Sequence, residues 1–229
     1  MEINILQLVE GAKNAKGLTV VIDVFRAFSM ACYLFDRGAE AIIPVSSIEQ
    51  AFELKANNPE YLLIGERNER IVPGFDFGNS PTHILNKNFT GKTIIHTTSA
   101  GTQGIVLADH ADEIITGSFV NASAIIEYIR RQNPETVSLV CMGYSTKYPA
   151  DEDTTLAEYV KNGLEGKPND FGEMIERIRR GTGARLLDPH NYEWSPSSDF
   201  VLCLSLNRFN YILKVEKKDG LNILRKIDL

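Results

Sequence analysis

Short β-branched apolar runs alternate with longer amphipathic stretches from residue 18 to residue 162. Leu18-Thr19-Val20-Val21-Ile22 sets the pattern: an unbroken apolar run of this kind predicts a strand covered on both faces. Ala41–Val45, Tyr61–Ile64, Lys92–His96, Glu113–Thr116 and Val137–Cys141 repeat it, and Ile3–Leu8, which alternates, is a candidate first strand. Helices are expected between them. One runs from Arg26 to Asp36, with Ala27, Met30, Ala31, Leu34 and Phe35 on one stripe and Gly38 as its stop. A second begins at Ser46 or Ser47, with Glu49 or Gln50 set for a capping box, and reaches Lys55. Ser80 reads as an N-cap and Pro81 as the first helical position of a short helix to Leu85. Further helices are expected up to Ala108, over about Asn121–Arg131, and from Asp151 to about Asn162. Gly11–Gly17 reads as a polar connection.

Regular β-α alternation predicts an α/β fold, a parallel-rich sheet with helices on both faces. In such sheets ligands bind outside the carboxyl ends of the strands. Beyond Lys167-Pro168-Asn169 the alternation stops. Phe171–Arg180 is a charge-rich amphipathic helix, Arg185–Ser195 is irregular and Ser198–Leu206 reads as a short helix. Tyr211–Val215 and Leu221–Leu224 read as a hairpin turning at Asp219-Gly220. With no repeat and no flexible linker, the expectation is one domain over residues 1–229. Residues 1–165 form its alternating core, and residues 166–229 are a C-terminal hairpin extension packed on it. Exposed apolar residues of that hairpin are a candidate edge for a homodimer.

Composition narrows the function classes. An apolar share of 43% and a charged share of 24% are ordinary for a globular protein that needs no staples. A net charge of −6 argues against a nucleic-acid partner, but not against a small anionic substrate held by local arginines or a metal. Cys32, Cys141 and Cys203 are far apart and fit neither a disulfide framework nor a zinc spacing, so free thiols in a reducing cytoplasm are expected. Met1-Glu2-Ile3-Asn4 lacks the features of a signal peptide, and no apolar run is long enough to span a membrane.

The polar residues that follow strands carry the chemistry. Asp23 ends the first buried run, and Arg26 stands three residues on, at a helix start where the dipole disfavours a merely solvated cation. Gly65-Glu66-Arg67 follows Tyr61–Ile64 and opens into Gly74-Phe75-Asp76-Phe77-Gly78-Asn79-Ser80-Pro81, a loop whose glycines leave room for a ligand. Thr97-Thr98-Ser99-Ala100-Gly101-Thr102 lies between a strand and a helix, where free backbone N–H groups favour an anion. Asp151-Glu152-Asp153 opens a helix, which suits carboxylates in any protein but also offers hard oxygen ligands for Mg²⁺. His83, His96, His110 and His190 share no spacing and are left out as structural. From these pieces follows an anion site at the strand ends with carboxylates enough for one divalent metal.

Together, Val20-Val21-Ile22-Asp23-Val24-Phe25-Arg26-Ala27, Gly65-Glu66-Arg67, Gly74 to Pro81, Thr97 to Thr102 and Glu152-Asp153 resemble the motifs of the 2-phosphosulfolactate phosphatase (ComB-like) family, in order and spacing from about residue 18 to 160. The segment Asp199–Val215 is also similar. The resemblance implies a three-layer α/β/α sandwich. It also implies Mg²⁺-dependent hydrolysis of 2-phosphosulfolactate, or a related small dianionic phosphate ester, on a route to coenzyme M. Departures stand at Phe28 and Met30, which flank Ser29 in place of a Ser/Thr run, and at Ala100, where the family turn has Asn. Asn68-Glu69 and the Leu156 and Glu158 positions also depart. On this reading Asp23, Arg26 and Glu66 are catalytic. Arg67, Asp76, Asn79, Thr97, Thr98, Gly101 and Thr102 bind substrate, and Asp23, Glu152 and Asp153 hold the metal, with Glu66 or Asp76 as substitutes. The nucleophile is either Asp23 or a metal-bound water. The alternative is a non-catalytic phosphate-ester binding protein on the same fold, its turnover lost through Phe28 and Ala100.

Overall fold

The computed structural model describes residues 1–229. In chain order its strands are β1 (Glu2–Gln7), β2 (Leu18–Ile22), β3 (Ala41–Pro44), β4 (Leu62–Arg67), β5 (Arg70–Ile71), β6 (Thr93–Thr97), β7 (Glu113–Gly117), β8 (Thr136–Cys141), β9 (Tyr211–Lys218) and β10 (Leu221–Asp228). The helices are α1 (Leu8–Lys13), α2 (Ala27–Asp36), α3 (Ile48–Asn57), α4 (Pro81–Ile84), α5 (Gly101–Leu107), α6 (Ala122–Gln132), α7 (Asp151–Glu165), α8 (Phe171–Arg180) and α9 (Ser198–Cys203). The strands form one sheet in the order β1-β8-β2-β7-β9-β10-β3-β6-β4-β5. Helices cover both faces, giving the α/β/α sandwich with a mostly parallel sheet.

Alternation within each strand sends neighbouring residues to opposite layers. Val21, Val140, Ile42, Ile94, Ile64 and Leu213 share a core with α2, every residue of which from Ala27 to Phe35 is buried. Val20, Ile22, Ile115, Leu139 and Ile212 pack with α6, α7 and α8 on the other side, and Ile43, Leu63 and Ile95 pack with Ala51 of α3. Burial on both faces is why these strands read as continuous apolar runs.

The topology departs from a single doubly wound sheet. β1, β8, β2 and β7 form one parallel block, and β3, β6 and β4 another. The C-terminal hairpin lies between them: β9 pairs antiparallel with β7 at Ile115↔Lys214 and Thr116↔Leu213, and β10 pairs antiparallel with β3 at Leu224↔Ile42. Both outer sides of the hairpin are therefore paired, and the expected dimer edge is not a free edge. Ile212, Leu213 and Leu224 are fully buried, so these apolar residues serve the core. Three antiparallel steps make the two blocks run in opposite senses along the sheet. Strand twist accumulates across the sheet, and the sheet wraps α2, so the carboxyl ends of β2 and β8 still meet those of β4 and β6.

Three local expectations change. Leu8–Lys13 forms a short helix that takes Leu8 from the expected first strand and overlaps the start of the expected Gly11–Gly17 connection; its few apolar residues span too little chain to show a helical period. β4 runs on through Glu66 and Arg67 and turns back as β5, so Glu66 belongs to a strand. The irregular segment holds two 3₁₀ turns, Thr182–Leu187 and Pro189–Asn191. All three cysteines are free and buried, and no helix is long and apolar enough to cross a membrane.

Candidate active site

β2 ends on Asp23, which is 6% exposed and forms the floor of a small cavity. Its Oδ1 accepts the Ala27 N–H at 3.1 Å, the start of α2. The backbone N–H of Gly101, the first residue of α5, lies near the same carboxylate and favours its charged form. A Cβ at Gly101 would lie 2.9 Å from Asp23 Oδ2 and 2.8 Å from the Ala27 Cβ, so only glycine lets α5 approach this closely. Gly65 performs the same service for β4: a Cβ there would meet the Thr97 carbonyl oxygen at 2.0 Å. Past Gly65 the strand delivers Glu66. Its Oε1 accepts the Ser99 N–H at 2.7 Å, and its Oε2 accepts the Glu69 N–H at 2.8 Å and the Ser99 hydroxyl at 3.1 Å.

The cavity between these groups measures about 30 Å³, room for one or two waters. Asp23, Glu66, Glu69, Arg26, Asn79, Ser99 and Ala100 line it, with Phe25 and the Gly143-Tyr144-Ser145 loop on the far wall. Burial pushes the Asp23 carboxyl up to about 7; Glu66 and Glu152 add to this against the Ala27 and Gly101 donors. Asp23 therefore stands as a buried carboxyl whose charge is incompletely compensated by the protein.

The head of α7 is built differently. Asp153 Oδ1 accepts the Val24 N–H at 2.9 Å and Oδ2 accepts the Gly143 N–H at 2.8 Å, tying the ends of β2 and β8 together. Burial, Asp23 and Glu152 push its pKa well up. Glu152 Oε2 accepts the Thr182 hydroxyl at 2.6 Å, and its Oε1 pairs with Arg185 Nη2 at 2.6 Å. Every carboxylate oxygen of the two residues thus has a protein partner. No group of three or more His, Cys, Asp or Glu side chains is arranged to hold a metal ion. Asp23, Glu152 and Asp153 do not form the expected ligand set, because α7 spends its carboxylates on neighbouring backbone and on Arg185. Asp23 and Glu66 are the hard-oxygen side chains that line the cavity together and would be the ones to meet a divalent cation there, Glu66 exchanging donors from Ser99 or Glu69 to do so.

The remaining predicted residues divide. Arg26 lines the cavity, but its Nη1 is bound by Asp199 Oδ2 and by the Trp194 carbonyl oxygen, both at 2.7 Å, and its Nη2 donates to the Glu69 carbonyl oxygen at 3.2 Å. Asn79 lines the cavity, with its Oδ1 3.1 Å from His96 Nε2. Arg67 is turned away: Nη1 donates to the Glu66 carbonyl, and Nη2 to the Thr97 hydroxyl at 2.8 Å and the Ser46 carbonyl at 3.3 Å. Asp76 is exposed and accepts the Leu63 N–H at 2.8 Å, at the opposite end of β4 from Glu66. Thr98 and Thr102 cap each other, each hydroxyl accepting the other's N–H at 3.0–3.2 Å, so neither lines the cavity. Of that turn, Ser99 and Ala100 line it and Gly101 touches Asp23. Ser80 is the N-cap residue of α4 by position but does not cap it with its side chain; its hydroxyl and the Thr82 N–H both go to Asp199 Oδ1.

The chain matches the family model for 2-phosphosulpholactate phosphatase over residues 3–218. The protein belongs to this family. It is 33% identical over 210 residues to a probable 2-phosphosulfolactate phosphatase of Caldanaerobacter subterraneus subsp. tengcongensis, covering 86% of this chain and 87% of that one. A protein of the same name from Bacillus subtilis is 32% identical over 206 residues, covering 89% and 88%, and one from Thermotoga petrophila 42% over 161, covering 70% and 67%. The family is one of phosphoric monoester hydrolases, as the sequence motifs imply.

In this member of the family the structure adds residues that the sequence reading missed. Glu69, Ser99 and Tyr144 line the cavity, and His96 supports Asn79 from behind. Burial, with Arg67 nearby, pushes the His96 pKa down to about 4, so its ring is neutral at pH 7. Arg185 reaches the site from the 3₁₀ turn: Nε pairs with Glu69 Oε1 at 3.1 Å and Nη1 donates to the Thr182 carbonyl at 2.6 Å. Burial opposes its charge, but Glu152 and Glu69 outweigh burial and raise its pKa. A local signal existed only for Ser99 and Glu69, each next to a residue singled out by motif. Nothing near Arg185 in the chain marks it.

Proposed function

We propose that this protein hydrolyses a small anionic phosphate ester of the 2-phosphosulfolactate kind to the hydroxy acid and phosphate, in a Mg²⁺-dependent reaction in the cytoplasm. The observation that supports it is Asp23: a buried carboxyl with a pKa near neutrality, lining a polar cavity together with Glu66. Asp23 and Glu66 would hold the metal, which when bound supplies positive charge against the charge of the phosphoryl group. Arg26, fixed by Asp199, and the Asn79 side chain bind and orient the phosphoryl oxygens. Partial burial of these groups in the cavity lining strengthens each of these interactions. The Asp23 carboxylate either attacks phosphorus itself or takes the proton of an attacking water.

The binding-protein alternative drew on Phe28 and Ala100. Phe28 lies in the core around α2 and does not line the cavity; Ala100 does. Phosphate release from 2-phosphosulfolactate and from a panel of phosphorylated hydroxy acids, with Mg²⁺ and with chelator, tests the proposal. Metal-dependent release from the sulfonate supports it. Release only from another ester moves the substrate, and no release from any ester, together with a thermal shift on binding one, sinks catalysis and leaves the alternative.

A further inference from the structure

The cavity of about 30 Å³ is smaller than a phosphorylated hydroxy acid, and a lining side chain able to swing to solvent would enlarge it. It also carries a carboxylate that an anionic substrate should not meet: Glu69, at the tip of the β4–β5 hairpin. The backbone of Glu69 is anchored on both sides. Its N–H donates to Glu66 Oε2 at 2.8 Å, and its carbonyl accepts from Arg26 Nη2 at 3.2 Å. What is left free to move is its side chain, whose one carboxylate contact is Arg185 Nε at 3.1 Å.

Arg185 does not depend on that contact for its position. Glu152, 1% exposed, holds Nη2; the Thr182 carbonyl holds Nη1; and the guanidinium lies over the rings of Tyr144 at 5.3 Å and Phe25 at 5.6 Å. Both rings line the cavity. Arg26, matched by the fully buried Asp199, is given to the phosphoryl group, and Arg67 points to Ser46 and Thr97. Arg185 is thus a pre-positioned planar donor just behind the cavity lining, and its partner in that lining is the Glu69 carboxylate.

Resting on the proposed phosphatase reading, we propose that Arg185 is the specificity residue for the second anionic group of the substrate, a carboxylate or sulfonate, and that Glu69 occupies this position until the substrate displaces it. In the empty site Glu69 compensates Arg185 and closes the cavity. In the loaded site the substrate's own anion takes over the Nε–H, and the Glu69 side chain swings to solvent, where it is already 21% exposed. The exchange makes entry conditional on an anion able to replace Glu69, and a plain phosphate monoester lacks one.

Calorimetric binding of sulfolactate and of inorganic phosphate, with Mg²⁺ present, tests this in the full chain. Glu69→Gln should tighten sulfolactate by about tenfold, the scale of one charge-assisted hydrogen bond released from competition, and phosphate by less than about twofold. In an Arg185→Gln background the gain from Glu69→Gln should vanish. An equal gain for both ligands, or a gain that persists without Arg185, overturns the proposal, since general relief of negative charge would explain it. Should Arg185→Gln fail to fold, because it leaves Glu152 buried and unpaired, the sulfolactate-to-phosphate ratio in Glu69→Gln decides alone. Lactate and isethionate give the anion: a gain with either supports the exchange and names carboxylate or sulfonate, and a gain with neither overturns it. Failure here with phosphate release intact removes only the role of Arg185; absence of phosphate release with the binding difference intact removes only the proposed reaction.

Discussion

Two pairs of buried carboxylates lie side by side and are built for opposite ends. At the head of α7, Glu152 and Asp153 have a protein donor on each oxygen: two backbone N–H groups, a threonine hydroxyl and an arginine. At the ends of β2 and β4, Asp23 and Glu66 are almost as buried, yet they face a cavity and each other, and burial leaves Asp23 near pH 7. Burial alone therefore does not distinguish a structural acid from a chemical one. What distinguishes them is the cavity: Glu66 also has a protein donor on each oxygen, but Asp23 and Glu66 line a cavity that a ligand can enter, and Glu152 and Asp153 do not.

The comparison breaks most visibly at Asp23. Asp23→Asn should lower kcat for phosphate release by roughly 10²–10⁴-fold, the range of a lost acid–base or electrostatic group. Its melting temperature should hold or rise, because an uncompensated buried charge is gone. A large fall in melting temperature with activity intact would place Asp23 with the structural pair.

The same contrast appears between the arginines. Asp199→Ala strands Arg26 and removes the acceptor for Ser80 and Thr82, and should cost about 3–5 kcal/mol in denaturant unfolding. Asp153→Asn sets an amide NH₂ against one of two backbone donors and should cost about 1–3 kcal/mol, with the residual folded protein still turning over. Equal kcat loss in Asp153→Asn and Asp23→Asn would erase the distinction drawn between the two pairs.

The smallest effect is read through pH. The Asp23 pKa is raised on folding, so its contribution to stability is full below about 4 and is lost as pH rises through about 7. His96 works the other way: its folded pKa is lowered to about 4, so its contribution is present above about 6.5 and is lost as pH falls toward 4. In chelator, wild type should lose melting temperature relative to Asp23→Asn between pH 5 and pH 8, roughly by a few degrees. Added Mg²⁺ should restore it, since a cation beside the carboxylate stabilises its charged form. A pH profile identical in the two proteins would remove Asp23 from this account.

Much of the site was legible along the chain for a physical reason: the residues that end strands are adjacent in sequence to the strands that position them. Asp23 after Ile22 and Glu66 after Gly65 needed only the apolar runs before them, and Ser99 and Gly101 lie in a turn readable as strand-to-helix. Asp76 and Asn79 show the limit. They share one motif, yet the Gly74–Pro81 segment runs alongside β4, bridging it in parallel at Ile64↔Phe77, so Asp76 serves the start of the strand while Asn79 reaches the cavity. Thr98 and Thr102 look like free hydroxyls until α5 is formed, when they satisfy each other.

The sequence by itself determined the strands, most helices, the layered α/β class and the family, because each rests on local periodicity or contiguous motif. Only the tertiary structure decided that the C-terminal hairpin joins two opposed parallel blocks, that Asp199 and Glu152 neutralise Arg26 and Arg185, and that Asp23 and Glu66 line one cavity while Glu152 and Asp153 lie outside it. Each of these depends on partners distant in the chain (Leu213 with Thr116, Arg26 with Asp199, Arg185 with Glu152), brought together by strand twist and by burial around α2. Pairing of charges in a low-dielectric interior is a property of that arrangement, and no local pattern in the chain encodes it.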